Sequence, residues 1–282
     1  MSVSEHLHDD RRLVVDIAER AGEILLDWSG RLARTDVGSK SAARDLVTAA
    51  DVASEEFILT QLRETFPSDG FLAEESATET TACEGTVWCV DPLDGTVNFV
   101  HGLPMYAVSI ARLVDGVADL AVIHLPRLQE TFHAYRGGGA WLGSQPISVS
   151  KAQEPLKSLL ATGFPYRRHV LADNNLENFQ RMFLHQQGIR RMGAAATDLA
   201  YVAAGRLDGF WELHLSPWDV AAGALLVQEA GGVVDTIVPG GDFLFGGNLV
   251  AGPPQLVEAM RALLLEGRDA SYPDLGDRLT EA

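Results

Sequence analysis

Apolar residues recur at helical spacing twice near the start of the chain. Leu13, Ile17, Ala21, Ile24, Leu25 and Trp28 mark one face of a first helix, and Ala53, Phe57, Ile58, Leu62 and Phe66 one face of a second. Residues 34–45 between them are small and polar and read as a loop. Short apolar runs then predict strands at Phe71–Ala73, Val87–Val90, Met105–Leu113, Val117–Ile123 and Thr131–Tyr135. Asp115-Gly116 is a pair favoured in tight hairpins, and Gly137–Gly139 marks another turn. After about residue 150 the pattern alternates. Strands are expected at Leu159–Thr162, Asp208–Glu212, Val233–Asp235 and Leu249–Ala251, and helices at Asn175–Gln186, Ala195–Ala204, Trp218–Ala230 and Gln255–Glu266. Gly-Gly pairs at 231–232, 240–241 and 246–247 mark helix ends and turns. The polar tail after Gly267 is expected to fray. The pattern predicts an α/β protein with α+β-like layering. Residues 1–150 form an antiparallel-leaning half and residues 151–282 a more alternating one, joined without a flexible linker.

Composition narrows the class. A chain of 282 residues can bury a substantial core. With 46% hydrophobic residues and a mean hydropathy of +0.04, it reads as soluble and globular. Its apolar runs fall short of the roughly 20 residues of a membrane helix. The N-terminus lacks the basic and apolar regions of a signal peptide, so a cytoplasmic location without membrane attachment is expected. The net charge of −17 disfavours a surface that grips nucleic-acid phosphates. Small anionic substrates remain open, because divalent cations reverse the local sign. Cys83 and Cys89 are too few for a zinc site; Cys89 reads as core, and a disulfide is not expected. The eight histidines include no metal-spaced helical pair, and His101 reads as a capping or packing residue. Neither a phosphate-loop lysine motif nor a dinucleotide glycine fingerprint occurs. Arg190 and Arg191 could face an anion or a partner, but solvation is the simpler reading.

The densest chemistry lies in residues 88–104. Asp91 and Asp94 fall where the apolar run Val87–Val90 breaks into a turn, followed by Gly95-Thr96. A carboxylate at the end of a buried strand needs a partner. A second one nearby repels it unless a cation lies between them, and the sequence offers no adjacent Lys or Arg. Oxygen-rich sites of this kind suit hard divalent cations. The N–H groups at a helix start suit an anion. Thr48-Ala-Ala-Asp51 and Ser216-Pro-Trp-Asp219 also match helix starts, each with an acid three residues after a hydroxyl cap.

Asp91-Pro-Leu-Asp-Gly-Thr-Val-Asn-Phe99 resembles the metal and phosphate motif of the inositol monophosphatase family. Three other segments fall in that family's order: Asp45–Asp51, Glu74-Glu-Ser76, and Trp218–Gly223 running on to Glu229–Gly232. The resemblance spans roughly residues 10–266 and implies the layered αβαβα architecture shared with fructose-bisphosphatases. It further implies two or three Mg²⁺ ions, with Mn²⁺ as a substitute. Glu74, Asp91 and the Leu93 carbonyl would hold one ion, and Asp91, Asp94 and Asp219 a second, with Glu74 assisting a third. Asp51 and Thr96 would orient the attacking water, with Lys40 nearby, and the Gly95 and Thr96 N–H groups would receive phosphate. Gly193, Ala194, Glu212 and Asp219 would meet the substrate. Such a site can neutralise charge and activate water for in-line displacement without a covalent nucleophile.

The 1–150 half would carry most metal ligands, and the 151–282 half Asp219 and the substrate contacts. The implied activity is hydrolysis of inositol monophosphate, with a homodimer and lithium inhibition as further family expectations. Fructose-1,6-bisphosphate, histidinol phosphate and phosphorylated nucleotides are the alternative substrates, and a regulatory role with RNA or the transcription machinery is the non-enzymatic one. Ala73 stands where the family usually has glycine, and Ala194 and Ser216 replace polar residues of animal inositol enzymes.

Overall fold

The computed structural model describes residues 3–29, 37–39, 46–76, 85–269 and 271–275. Lys40, Asp45 and Cys83 lie outside the described residues. In chain order the elements are α1 (Val3–Ser29), β1 (Val37–Ser39), β2 (Leu46–Thr48), α2 (Ala49–Thr65), β3 (Gly70–Ala73), β4 (Thr86–Asp94), α3 (Thr96–Val100), β5 (Ala107–Val114), β6 (Val117–Leu125), β7 (Glu130–Tyr135), β8 (Ala140–Leu142) and β9 (Gln145–Ile147). There follow β10 (Leu159–Thr162), α4 (Leu176–Phe183), β11 (Gly188–Arg190), α5 (Ala195–Ala203), β12 (Gly209–Leu213), α6 (Pro217–Glu229), β13 (Val233–Asp235), β14 (Asn248–Gly252) and α7 (Pro254–Leu264). Strands β3 to β9 form one sheet in sequential order, antiparallel except for β3 beside β4. The second sheet runs β11-β10-β12-β14-β13, with β10 parallel to both neighbours.

Five layers result. Helices α1 and α2 cover one face of the large sheet, burying Val14, Ile17, Ala21, Leu25, Ile58 and Leu62 against Trp88, Ile110 and Val122. Helices α5 and α6 fill the space between the sheets, in one continuous core with Ile123, Phe132, Phe210 and Leu249. A helix held between two sheets must be apolar on every side, and α6 buries Val220 through Val227 without interruption. Gly223 permits close packing of the pair, since a Cβ there would lie 2.5 Å from the Leu199 Cβ. Helix α7, through Val257 and Met260, and Met182 of α4 close the outer face of the smaller sheet over Leu160, Trp211 and Val250. Among the described residues no helix is long and apolar enough to cross a membrane.

The hydrophobic pattern located most elements but missed some boundaries. The buried face of α2 keeps the expected Ile58 and Leu62 but is rotated from Ala53, Phe57 and Phe66 toward Ala50, Asp51, Ser54, Glu55 and Leu59. The rotation turns polar residues toward β4 and the segment after β3: Ser54 Oγ donates to the Pro92 carbonyl, and Glu55 accepts from the Glu75 N–H. Strands β8, β9 and β11 hold at most one β-branched residue each and so give no strand signal, unlike the equally short β13 with Val233-Val234. The tail does not fray at Gly267. Tyr272 is buried, bonded to Asn178 and stacked under Arg268, and Leu275 packs against the same cluster, so the two dock this segment.

Candidate metal centre and active site

Asp91 and Asp94 reach the same side of β4 through a bulge. Asp91 pairs with Ser109 and Asp94 with Ala107, so three steps on β4 oppose two on β5. Residues three apart on a regular strand point to opposite faces, and one extra residue cancels that alternation. Pro92 sits inside the bulge, where its missing N–H leaves no ladder bond broken. The Leu93 N–H donates to Asp91 Oδ1 at 2.9 Å. Gly95 then turns the chain at φ 90°. A Cβ there would lie 2.9 Å from the Met105 carbonyl oxygen and 3.1 Å from the Ala194 Cβ, so the turn requires glycine.

Both capping boxes form. At the start of α2, Asp51 Oδ2 accepts from the Thr48 N–H at 2.8 Å and Thr48 Oγ1 at 2.6 Å, while Oδ1 accepts from Thr96 Oγ1 at 3.1 Å. Asp51 is fully buried and stands behind Thr96; of the two, only Thr96 lines the cavity. At the start of α6, Asp219 accepts from the Ser216 N–H at 2.7 Å. Its carboxylate also joins those of Asp91 and Asp94, with one oxygen from each lying within 4.8 Å of the others. A capping acid and a site acid are thus the same residue. Glu74 lines the same cavity of about 220 Å³ and bonds to Asp91, outside that three-way cluster.

Burial pushes the Asp91 carboxyl well above the usual carboxylate range, and the charges of Glu74, Asp94 and Asp219 push it further. Burial also raises Asp94, to about 7, although the N–H groups of Ala196, Thr197 and Ala195 at the start of α5 hold it down. The Ala196 N–H lies 2.8 Å from Asp94 Oδ2. The cavity is lined by four carboxylates and no lysine or arginine among the described residues. Such a set suits a hard divalent cation: the donors are oxygens, and a cation would remove the mutual repulsion. Glu74, Asp91, Asp94, Asp219 and the Leu93 backbone would hold it.

A second recess of about 110 Å³ shares Asp94 and Asp219 and brings in Gly193, Ala194 and Glu212, so the expected substrate residues also converge. Asn98 ties the two regions together, donating from α3 to the Met105 carbonyl at 2.6 Å and the Met192 carbonyl at 2.7 Å. Burial pushes Glu212 up to about 8, against the pull of nearby Arg191. Asp198 is buried, with Oδ1 bonded to no described residue, and is raised well above the carboxylate range by burial and then by Glu212 and Asp94.

Tyr166 and His214 line the site without belonging to any quoted motif, and Trp218, which opens the last motif, lines it as well. Proximity to Ser216-Pro-Trp-Asp219 is the sequence signal for His214; Tyr166 has none. His214 adopts φ 65°, with Nε2 2.7 Å from the Asp173 carbonyl. Glu229, quoted with the last motif, is remote from the cavity and accepts from the Gly137 and Gly139 N–H groups at 2.9 Å. A larger cavity of about 310 Å³ lies along α6, but its polar lining of Arg136, Gln228 and Asp242 forms no acid cluster.

A model of the inositol monophosphatase family matches residues 7–268. The chain belongs to that family. Among curated relatives, the Nus factor SuhB of Pseudomonas aeruginosa is 45% identical over 249 residues, covering 86% of this chain and 91% of its own. The inositol monophosphatase structure from Anabaena (Nostoc) sp. superposes with a TM-score of 0.83 at 37% identity, covering 93% of this chain and 97% of its own. The structure of the extragenic suppressor protein suhB from Bartonella henselae gives a TM-score of 0.82 at 38% identity, covering 91% and 98%. The mixed α/β fold with two sheets is that of the inositol monophosphatases.

Proposed function

We propose that this protein is a Mg²⁺-dependent phosphatase that hydrolyses the phosphate monoester of a small polyol, inositol monophosphate in the first place. The observation that carries this reading is the convergence of Asp91, Asp94 and Asp219 within 4.8 Å, beside a glycine-led turn that opens a short helix. Membership of the inositol monophosphatase family supports it. A bound Mg²⁺ supplies charge neutralisation for the phosphoryl oxygens and a water of lowered pKa.

The protein's residues do the rest. The 1–150 half contributes Glu74, Asp91, Leu93 and Asp94, and the 151–282 half Asp219 and the substrate contacts. Thr96 Oγ1, donating to Asp51, lines the cavity with a lone pair free to accept a hydrogen bond from the attacking water and so orient it. Asp51 acts through Thr96, its other oxygen being held by Thr48. The Gly95 and Thr96 N–H groups receive the phosphate, and Glu212 accepts from a substrate hydroxyl. Lys40 remains assigned beside the water by family resemblance alone.

The test is a panel of inositol 1-phosphate, fructose 1,6-bisphosphate, histidinol phosphate and a phosphorylated nucleotide, assayed with Mg²⁺ and with Mn²⁺. Inositol 1-phosphate should give the highest kcat/KM; a wide margin for another substrate overturns the substrate assignment. The Nus factor name of the Pseudomonas relative favours a second, transcription-linked role. The net charge of −17 points such a role toward protein contacts rather than direct grip on RNA. A transcription phenotype that survives Asp91→Asn would separate this role from hydrolysis.

A further inference from the structure

Of the two adjacent arginines, only Arg191 lines the substrate recess; Arg190 bonds to the neighbouring Ile189 carbonyl on strand β11. The Arg191 guanidinium makes no hydrogen bond or ion pair with any described residue, yet its charge is felt by both Glu212 and Asp198. It lies across Gly193, where a Cβ would sit 2.3 Å from Arg191 Nη1. Gly193 has φ 85° and no side chain, so the backbone leaves a seat that the guanidinium fills. The Glu212 carboxylate, which lines the same recess, rests against Gly163, where a Cβ would lie 2.0 Å from Glu212 Oε1. Two glycines thus make room for one donor group and one acceptor group at the rim of one recess. Such room is lost if either gains a methyl group.

We infer that Arg191 is a substrate-recognising residue that pairs with Glu212 to read the hydroxyls of a neutral polyol. This rests on the phosphatase reading and names the chemistry of the leaving alcohol. A guanidinium offers five donors and no acceptor, and a carboxylate offers acceptors, so neighbouring hydroxyls can accept from one and donate to the other. A second phosphate fits poorly. Beside Arg191 it would meet Glu212, whose carboxylate accepts from a hydroxyl but repels a phosphate. The arrangement therefore selects polyol monophosphates over bisphosphates.

The experiment compares Arg191→Ala, Arg191→Lys and Arg190→Ala with the wild type, using inositol 1-phosphate, fructose 1,6-bisphosphate and p-nitrophenyl phosphate. Arg191→Ala should raise KM for inositol 1-phosphate on the order of 10-fold, the worth of a hydrogen bond to a charged group, with little change in kcat. Turnover of p-nitrophenyl phosphate, whose leaving group has no hydroxyls to read, should fall by far less, and Arg191→Lys should recover part of the loss. Arg190→Ala should match the wild type throughout.

Equal effects of Arg191→Ala and Arg190→Ala on inositol 1-phosphate, or an equal loss on p-nitrophenyl phosphate, would overturn the inference. So would an Arg191-dependent preference for the bisphosphate. Binding of inositol 1-phosphate by calorimetry with Ca²⁺ gives a readout independent of turnover. Arg191-dependent binding without wild-type hydrolysis would sink the phosphatase reading and uphold the arginine; hydrolysis with Arg191-independent binding would do the reverse.

Discussion

The two ends of the site are built differently. At the metal end the backbone does the placing: a bulge around a proline and the Leu93 and Ala196 N–H groups fix Asp91 and Asp94, a left-handed glycine leads into Thr96, and two capping boxes hold Asp51 and Asp219. At the alcohol end, Arg191 and Glu212 are long side chains laid across glycines, and Arg191 has no bond to a described residue. Rigid backbone suits a reaction that depends on placing charge around one phosphoryl group. Seated but unbonded side chains suit recognition of alcohols, where substrate supplies the missing partners. Damage at the first end should abolish turnover, and damage at the second should change which ester is turned over.

The largest effect is expected from Asp91→Asn. Losing a carboxylate of the metal centre should lower kcat/KM by roughly 10³-fold or more on every substrate, as several kcal/mol of charge stabilisation disappear. Glu212→Gln should cost only about 10-fold, on inositol 1-phosphate and not on p-nitrophenyl phosphate. Steady-state assays of the two variants side by side would break the comparison if the losses were alike.

Backbone construction predicts the next effect. Gly95→Ala places a Cβ against the Met105 carbonyl at a positive φ, which should cost about 1–3 kcal/mol in urea unfolding together with activity. Thr48→Ala should cost about 1 kcal/mol through the lost cap. It should also lower kcat on all substrates alike, because Thr48 holds the carboxylate on which Thr96 depends.

How much of this was visible in the sequence follows from the same contrast. Asp91, Asp94 and Asp219 were legible because their neighbours, Pro92, Gly95, Pro217 and the small residues of α6, carry local backbone signals. The capping reading of Asp51 and Asp219 was also sound, and function was added to it rather than substituted for it. Arg191, Tyr166 and His214 were not legible as site residues. Nothing local distinguishes Arg191 from Arg190; the difference lies in Gly193 and in the packing of α5 beside the recess, and packing has no period. The polar face of α2 was misplaced for a related reason. Asp51, Ser54 and Glu55 are buried because partners on distant segments satisfy them, which an apolar stripe cannot reveal.

The smallest effect concerns pH. Asp198 has a folded pKa well above its unfolded value of about 3.8, so its contribution is fully present below that unfolded value and is lost as pH rises through the folded one. Asp198→Asn removes the carboxyl that must charge. Its gain in Tm over the wild type should therefore grow as pH rises above that unfolded value, and a gain independent of pH would contradict the assigned burial cost.

The most direct measurement is anomalous scattering from crystals soaked in millimolar Mn²⁺. A peak in contact with the carboxylate of Asp91 and reached by Asp94 and Asp219, lost in Asp91→Asn crystals, is expected. An acidic cluster that stays empty while Mn²⁺ occupies other surface sites would contradict a metal-assisted phosphatase at this position.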